Sequence, residues 1–194
     1  MRVSSLAVAA LAALGASARP TTGSCPAPQP SGKFGVIAIR SGSGVHLQGF
    51  SAALNSLFAG YSDQNAECER PDEKYATFYI ENGDLYLYTP EGAEKQQFFV
   101  DRSGMGQGKI GYTTGDASIP RYGERTGWSI DANNHLKFDG KDFIACPNGP
   151  GRGYSIWADA GVENPGFNEG CVGIAARVQY KSDPNACVYS SPSA

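Results

Sequence analysis

Hydrophobic residues from Lys33 onward come in short bursts separated by glycine, asparagine, aspartate and proline, and long helical periodicity is nearly absent. Short apolar runs punctuated by turn residues are typical of strands. Each of three bursts has an apolar run ending in isoleucine, a polar turn and a second run entered at leucine, which predicts a hairpin. The second burst holds an Asn-Gly pair, which favours a tight hairpin turn. The bursts are VIAIRSGSGVHL from Val36, TFYIENGDLYL from Thr77 and WSIDANNHLKF from Trp128.

The spacing of these bursts suggests a repeat. Their isoleucines, Ile39, Ile80 and Ile130, lie 41 and 50 positions apart, and a threefold repeat of hairpins on that scale suits a β-trefoil. We therefore expect an all-β fold, β-trefoil-like, with an irregular β-barrel or sandwich as the alternative. One segment departs from the pattern: FSAALNSLF, residues 50–58, predicts one short helix. Its apolar residues share a helical face: Phe50, Leu54, Leu57 and Phe58.

The N-terminus has the layout of a secretory signal peptide. Arg2 precedes an apolar run over residues 6–14 and the small-residue pattern Ala16-Ser17-Ala18, which predicts a signal peptide over residues 1–18. The apolar run is too short to cross a bilayer, and we expect no membrane anchor. Residues 19–32 are rich in proline, serine, threonine and glycine and predict a flexible tail. Residues 33–194 are expected to form a single all-β domain.

The charge balance excludes some partners. The formal net charge is −3, and the acidic residues are scattered along the chain. We therefore expect neither nucleic acid nor an anionic membrane as a partner. The cleaved chain of 194 − 18 = 176 residues is long enough for a hydrophobic core in one domain.

Cysteine usage fits a secreted protein. In an oxidising compartment, disulfides are expected for the five cysteines: Cys25, Cys68, Cys146, Cys171 and Cys187. Two bridges drawn from five cysteines can be arranged in fifteen ways. No Cys/His spacing supports zinc, since the histidines are His46 and His135, so we expect no metal and no other cofactor.

Catalytic motifs find little support. The chain lacks a G-x-S-x-G elbow, and the glycine-rich stretch SGMGQGKIGY is followed by a strand pattern where a phosphate loop would need a helix. A glycosidase built on paired carboxylates is a hypothesis that the sequence leaves open, because carboxylate separation is invisible in sequence. Its candidates are Asp131, Asp139, Asp142 and Asp159. We expect no enzyme and no catalytic residue.

Tyrosines supply a candidate binding surface. The chain has ten tyrosines, and YIENGDLYLY brings Tyr79, Tyr86 and Tyr88 together. Aromatic faces stack on the apolar faces of sugars, and tyrosine adds a hydroxyl. Tyr86 and Tyr88 alternate with Leu85 and Leu87, so buried leucines would leave the tyrosines facing outward. These tyrosines are candidates for glycan contact, with ordinary exposed strand tyrosines as the alternative.

Several longer phrases together resemble the fungal PhiA-type cell wall proteins: GMGQGKIGYTTG, TGWSIDANNHLKFDG, DFIACPN and GYSIWADAG. The resemblance runs from Lys33 to Cys187. It implies a secreted fungal wall protein associated with phialide and conidium development, in a family with some allergenic members and no catalytic residues. The C-terminal half more distantly resembles the C-terminal domain of yeast cell wall proteins with internal repeats. Those attach to glucan through glutamines in tandem repeats that this chain lacks, so non-covalent retention is expected.

We expect two disulfides, and we favour one function over its alternatives. Cys146 with Cys171 is the most local pair, and Cys68 with Cys187 would tie the C-terminal strand to the middle of the fold, leaving Cys25 in the tail. The favoured function is a structural or glycan-contacting wall protein whose partner is glucan, chitin or mannan. The alternatives are a soluble effector, elicitor or allergen that acts on a host, and a glycan-binding protein or glycosidase.

Overall fold

The computed structural model describes residues 32–71 and 73–191, and it is built almost wholly from strands. Two three-residue 3₁₀ turns, Pro150–Arg152 and Pro165–Phe167, complete the regular elements of this part of the chain. The strands are β1 Phe34–Ile39, β2 Phe50–Ala53, β3 Ser56–Ala59, β4 Glu67–Cys68, β5 Phe78–Glu81, β6 Asp84–Leu87, β7 Gln96–Asp101, β8 Lys109–Thr114, β9 Gly123–Glu124, β10 Trp128–Ile130, β11 His135–Phe138, β12 Phe143–Cys146, β13 Tyr154–Ala158, β14 Val172–Tyr180 and β15 Cys187–Val188.

One thirteen-stranded sheet dominates the described residues. Its order is β1-β5-β6-β7-β8-β3-β13-β12-β14-β11-β10, with β2 on β3 and β9 on β7, and all its pairings are antiparallel. β1 also pairs along its whole length with β14, so the ladder returns to its first strand. A second, two-stranded sheet joins β15 to β4. Among residues 32–71 and 73–191, no helix has the length and apolar character needed to cross a membrane.

The core lies on the inner face of the large sheet and is rich in aromatic rings. Trp128 contacts Phe98, Phe138 and Phe143, with ring centroids between 5.1 and 6.2 Å apart. Edge-to-face and offset ring pairs of this kind stabilise a core beyond the area they bury. The all-β prediction is confirmed by these elements, and the β-trefoil arrangement stays a prediction. Residues 1–18 and 19–32 were predicted as signal peptide and tail, and all but residue 32 lie outside the described residues.

The predicted helix over residues 50–58 is wrong. The segment forms the hairpin β2–β3, in which Phe50 pairs with Ala59 and Ala53 with Ser56. Leu54 and Asn55 make the turn with φ of 51° and 53°, the left-handed conformation that a tight hairpin requires. All eight strand residues are buried. A strand buried on both faces carries a continuous apolar run, and periodicity alone does not separate such a run from a helix.

The three predicted hairpins fare differently. β5–β6 turns at Asn82 and Gly83, whose φ values of 54° and 84° fit the Asn-Gly prediction, and β10–β11 pairs Trp128 with Phe138. The hairpin predicted for the first burst is wrong at its second strand. Leu47 enters no strand and lies in an irregular turn, where it is 62% exposed with φ of 64°. Its return strand starts at Phe50, after an isolated bridge between Ile37 and Gly49.

The C-terminal segment is fastened to the body by buried polar groups. The Gln96 side chain donates to the carbonyl of Tyr189 at 2.9 Å and accepts from its N–H at 2.8 Å, so it acts like a neighbouring strand. Asn185 makes the same two-way contact with the backbone of Arg70, at 2.9 and 3.0 Å. The Tyr112 hydroxyl donates to the carbonyl of Ser190. Buried amides that satisfy backbone groups in this way hold an irregular segment in one position.

Candidate glycan-contacting surface

Tyr79 and Tyr86 form a direct cross-strand pair on the outward side of β5–β6. Leu85 and Leu87 are fully buried, while both tyrosines remain partly exposed, as alternation requires. The two rings stack with centroids 5.1 Å apart and planes 16° from parallel. Tyr88, just after β6, is also partly exposed. The structure therefore brings together the three tyrosines singled out in the sequence, which we call the tyrosine face.

Two lysines cover the rings of the tyrosine face. The Lys33 ammonium lies 5.4 Å from the ring centroid of Tyr79 and 5.2 Å from that of Tyr88. The Lys95 ammonium lies 5.2 Å from the Tyr86 centroid and 3.1 Å from a carboxylate oxygen of Glu81. Cation–π contacts at this range are attractive and orient the rings. As a result, the rings meet solvent chiefly through their edges and hydroxyls, since their faces meet each other and the lysines.

Local electrostatics keep these groups in their ordinary charge states. Burial raises the pKa of Tyr79 and of Tyr86 above the usual value for a phenol, which keeps both hydroxyls protonated. The hydrogen bond to Glu81 raises the pKa of Lys95, so its ammonium stays charged. The tyrosine face thus offers two neutral hydroxyls, each able to donate and accept, beside a cation.

A polar row continues the tyrosine face across the sheet. In register with Tyr86 stand Gln97 on β7 and then Thr113 on β8. Arg125 bridges them, donating to the Gln97 carbonyl oxygen at 2.7 Å and to the Thr113 hydroxyl at 3.1 Å. The Gln97 amide donates to Asp84 at 2.8 Å. Sequence reasoning missed this row, because β7 reads QQFFVD and its continuous apolar run hides the alternation that would place Gln97 outward.

Shallow cavities flank the tyrosine face. One of about 300 Å³ is lined by Lys33, Tyr79, Tyr88, Pro90 and Lys95 among others. Another of about 400 Å³ lies between Tyr86, Lys95, Gln97 and Asp116. Hydroxyl, amide, carboxylate and ammonium groups in such a cleft can make hydrogen bonds of both polarities. This is the chemistry that recognises a molecule with many hydroxyls.

Two of the four aspartates of the glycosidase hypothesis line the same cavity, and the other two lie outside it. Asp142 and Asp159 line one cavity of about 480 Å³, but Asp142 is ion-paired with Lys137 at 2.7 Å. Asp131 lies in the β10–β11 turn, where backbone N–H groups of His135 and Asn133 hold its pKa below the usual value. Asp139 is ion-paired with Arg102 at 2.7 Å. Within the described residues, no three histidine, cysteine or acidic side chains are placed to hold a metal ion.

Two disulfides fix the chain around these surfaces. Cys68 is bonded to Cys187 and Cys146 to Cys171, the same pairs that the sequence analysis selected. The first fixes β15 to β4, and the second closes the loop that precedes β14. Cys25 lies outside the described residues.

Comparison with known proteins places the chain in a family. The PhiA-like secreted protein family matches residues 34–190. The chain is 58% identical to the cell wall protein phiA of Aspergillus fumigatus over 190 residues, 98% of this chain and 100% of that protein. It is equally similar to that of Emericella nidulans, over 98% of this chain and 100% of the relative. It is 44% identical to the Arthroderma benhamiae protein of the same name over 73% of this chain and 78% of the relative.

No solved structure gives a significant match. The family match and the relatives' names bear on where the protein acts. They confirm the predicted location, a protein secreted to the cell wall. The chain belongs to the PhiA-like secreted protein family.

Proposed function

We propose that this chain is a non-catalytic structural protein of the fungal wall, held there by non-covalent contact between the tyrosine face and wall polysaccharide. Its relatives are named cell wall proteins, which supports the wall role. The resemblance to PhiA-type proteins also suggests a part in phialide and conidium development. In this proposal the protein takes part in spore formation by reinforcing or organising wall polymers rather than by transforming them.

The register of the tyrosine face with the polar row beside it supports the proposal. Tyr79, Tyr86, Gln97 and Thr113 lie side by side on four neighbouring strands. Neighbouring strands are about 4.8 Å apart, so polar groups recur along this line at a spacing close to the rise of one sugar unit. An extended polysaccharide laid across the strands can form a hydrogen bond at each step. Each such bond contributes little by itself, so the retention is reversible.

Binding to insoluble polysaccharide tests the proposal. Purified secreted protein is sedimented with β-glucan, chitin and mannan, and the bound fraction is measured over a range of protein concentrations. We expect saturable binding to at least one polymer, weakened in Tyr86→Ala and in Tyr88→Ala. Tyr122→Ala is the matched control, because Tyr122 is 60% exposed and lies outside the tyrosine face.

Three outcomes contradict the proposal. Equal binding by Tyr86→Ala, Tyr88→Ala and the wild type would remove the tyrosine face from the contact. Protein found almost wholly in the culture filtrate, and absent from washed walls, would favour a soluble effector that acts on a host. Release of soluble sugar that disappears in Asp159→Asn would instead favour a glycosidase, because that carboxylate lines a cavity with Asp142.

A further inference from the structure

The loop over residues 159–171, between β13 and β14, is held rigidly against the outward side of the sheet. The Cys146–Cys171 disulfide fixes its C-terminal end to β12. Pro165 is buried, and the backbone of Gly166 lies on the indole ring of Trp157, where a Cβ would come within 2.6 Å of a ring carbon. Only glycine fits this close approach, and the same residue has φ of 66°. The loop is therefore ordered by a disulfide at one end and an aromatic support in the middle.

This support presents one phenylalanine to solvent. Phe167 is 92% exposed and has φ of 58°, in the left-handed region. A bulky residue rarely adopts that conformation, and such outliers cluster at functional sites. A single exposed apolar side chain needs no explanation by itself. An exposed aromatic ring in an unfavourable backbone conformation, on a loop that is held in place, does require an explanation.

Side-chain amides hold the loop on both sides of Phe167. The Gln107 carbonyl oxygen accepts a hydrogen bond from the N–H of Gly166 at 2.7 Å, which links the loop to the β7–β8 connection. The Asn168 amide donates to the carbonyl of Pro165 at 2.6 Å, and the Asn148 amide lies 3.4 Å from the Asn168 oxygen. An aromatic ring flanked by amides is suited to a pyranose, whose CH groups meet the ring while its hydroxyls meet the amides.

Phe167 offers an open aromatic ring face, which the tyrosine face lacks. The rings of Tyr79 and Tyr86 stack on each other and are covered by lysine ammonium groups, whereas the Phe167 ring is nearly fully open. We propose that Phe167 and the amides of Gln107, Asn148 and Asn168 form a second polysaccharide site, in which the phenyl ring stacks on a β-linked pyranose of gluco configuration. This inference rests on the proposed function, since it assumes that the chain contacts wall polysaccharide.

The choice of sugar follows from ring chemistry. In β-linked glucose and N-acetylglucosamine all ring substituents are equatorial, so axial CH groups form an apolar face. Mannose has an axial hydroxyl at carbon 2, which interrupts one of its faces. A protein partner is less suited to this loop, because stable protein interfaces bury about 1,200 Å² or more, and one ring among amides offers far less apolar area. Glucan and chitin share the required chemistry and are separate arms of the test.

Tryptophan fluorescence gives a local readout. The chain has two tryptophans. Trp157 lies directly beneath the loop, and Trp128 is buried in the core with 2% exposure. Titrating the secreted protein with β-1,3-glucan or chitin hexasaccharide is expected to change the Trp157 emission, and mannan hexasaccharide is expected to change it much less. Trp157→Phe removes the signal, while Trp128→Phe keeps it.

Substitution of the ring tests its role. Phe167→Ala is expected to weaken binding about three- to tenfold, the range given by one aromatic stacking contact. Phe167→Trp restores it, because the stacking surface returns. Phe167 packs on little, so its removal leaves the fold intact, which the near-ultraviolet circular dichroism spectrum checks. Tyr86→Ala, measured in parallel, retains the Trp157 response.

The outcomes separate this inference from the proposed function. If the wild type binds glucan or chitin and Phe167→Ala binds equally well, the loop site is refuted while the tyrosine face stands. If the wild type binds no polysaccharide in sedimentation, both are refuted. If Phe167→Ala leaves glycan binding unchanged but converts an oligomer to a monomer in analytical ultracentrifugation, the exposed ring serves self-association and the glycan site is likewise refuted.

Discussion

Removing each disulfide separately should cost more stability for the bond that encloses the longer stretch of chain. Cys68 and Cys187 are 119 residues apart, and Cys146 and Cys171 are 25 apart. A cross-link stabilises mainly by restricting the unfolded chain, and the restriction grows with the logarithm of loop length. With that relation, the long bond contributes about 5 kcal/mol and the short bond about 3.5 kcal/mol at 25 °C.

The native state around the long bond supports this estimate. Gln96, Asn185 and Tyr112 still hold the C-terminal segment when the cysteines are replaced, so the folded structure changes little. The free energy of unfolding of typical domains is about 5 to 15 kcal/mol. The Cys68→Ala, Cys187→Ala pair therefore leaves a domain that folds but is only marginally stable.

Urea unfolding of the two double variants, followed by near-ultraviolet circular dichroism, measures both losses. We expect the larger loss for the long bond. We also expect a larger m-value in both variants, because a longer free chain exposes more surface when it unfolds. An equal or greater loss for the Cys146→Ala, Cys171→Ala pair would refute the chain-entropy argument and indicate that native contacts at the loop dominate.

Three further predictions concern single side chains. Gln96→Leu should lower the free energy of unfolding, measured in urea, by about 2 to 4 kcal/mol, because it leaves buried backbone groups of Tyr189 without hydrogen-bond partners. Gln97→Leu, on the outward side, should lower it by less than about 1 kcal/mol. Burial raises the pKa of Tyr112 and of Tyr189. Their contribution to stability is complete below the unfolded pKa of about 10 and is lost at higher pH, so in absorbance titration both should ionise only as the fold melts. Hydrogen bonds from the N–H groups of His135 and Asn133 lower the pKa of Asp131, so its stabilisation, present above about pH 4, should fade on acidification, and Asp131→Asn should remove this pH dependence of the urea midpoint.

Local signals in the sequence anticipate much of the sheet. Asn82 and Gly83 tolerate positive φ, and that property places the β5–β6 turn. The alternation of leucine and tyrosine in β6 places Tyr86 on the outward side. Such features depend on one or two neighbouring residues, so a single sequence shows them.

Features that depend on residues distant in the sequence could not be predicted from local patterns. The spacing of apolar residues over residues 50–58 fits a helix, but the segment forms a hairpin whose strands are buried on both faces. Lys33 covers the ring of Tyr79 from 46 positions away, so no local pattern in the sequence indicates that the tyrosine rings are shielded. The exposure of Phe167 depends on Trp157 and on the disulfide that braces its loop. Tertiary contacts decide these outcomes, and local propensity does not contain them.

Two weak surfaces on one rigid body would act together. When the first contact forms, the second becomes intramolecular, and the combined affinity can exceed either contact by about 10² to 10⁴ if both can engage. The tyrosine face and the Phe167 loop belong to the same large sheet and its connections, which fixes their separation. Loss of both in Tyr86→Ala, Phe167→Ala should therefore weaken wall binding by more than either loss alone.

Reversible binding to native wall material is the strongest test of a non-covalent, non-catalytic role in the wall. Purified secreted protein is incubated with protein-stripped fungal walls, pelleted and extracted with hot detergent, and the supernatant is assayed for released sugar. We expect saturable binding, full recovery of intact protein in detergent and no sugar release. Protein that fails to bind, that is freed only by glucanase, or that liberates soluble sugar would contradict this expectation.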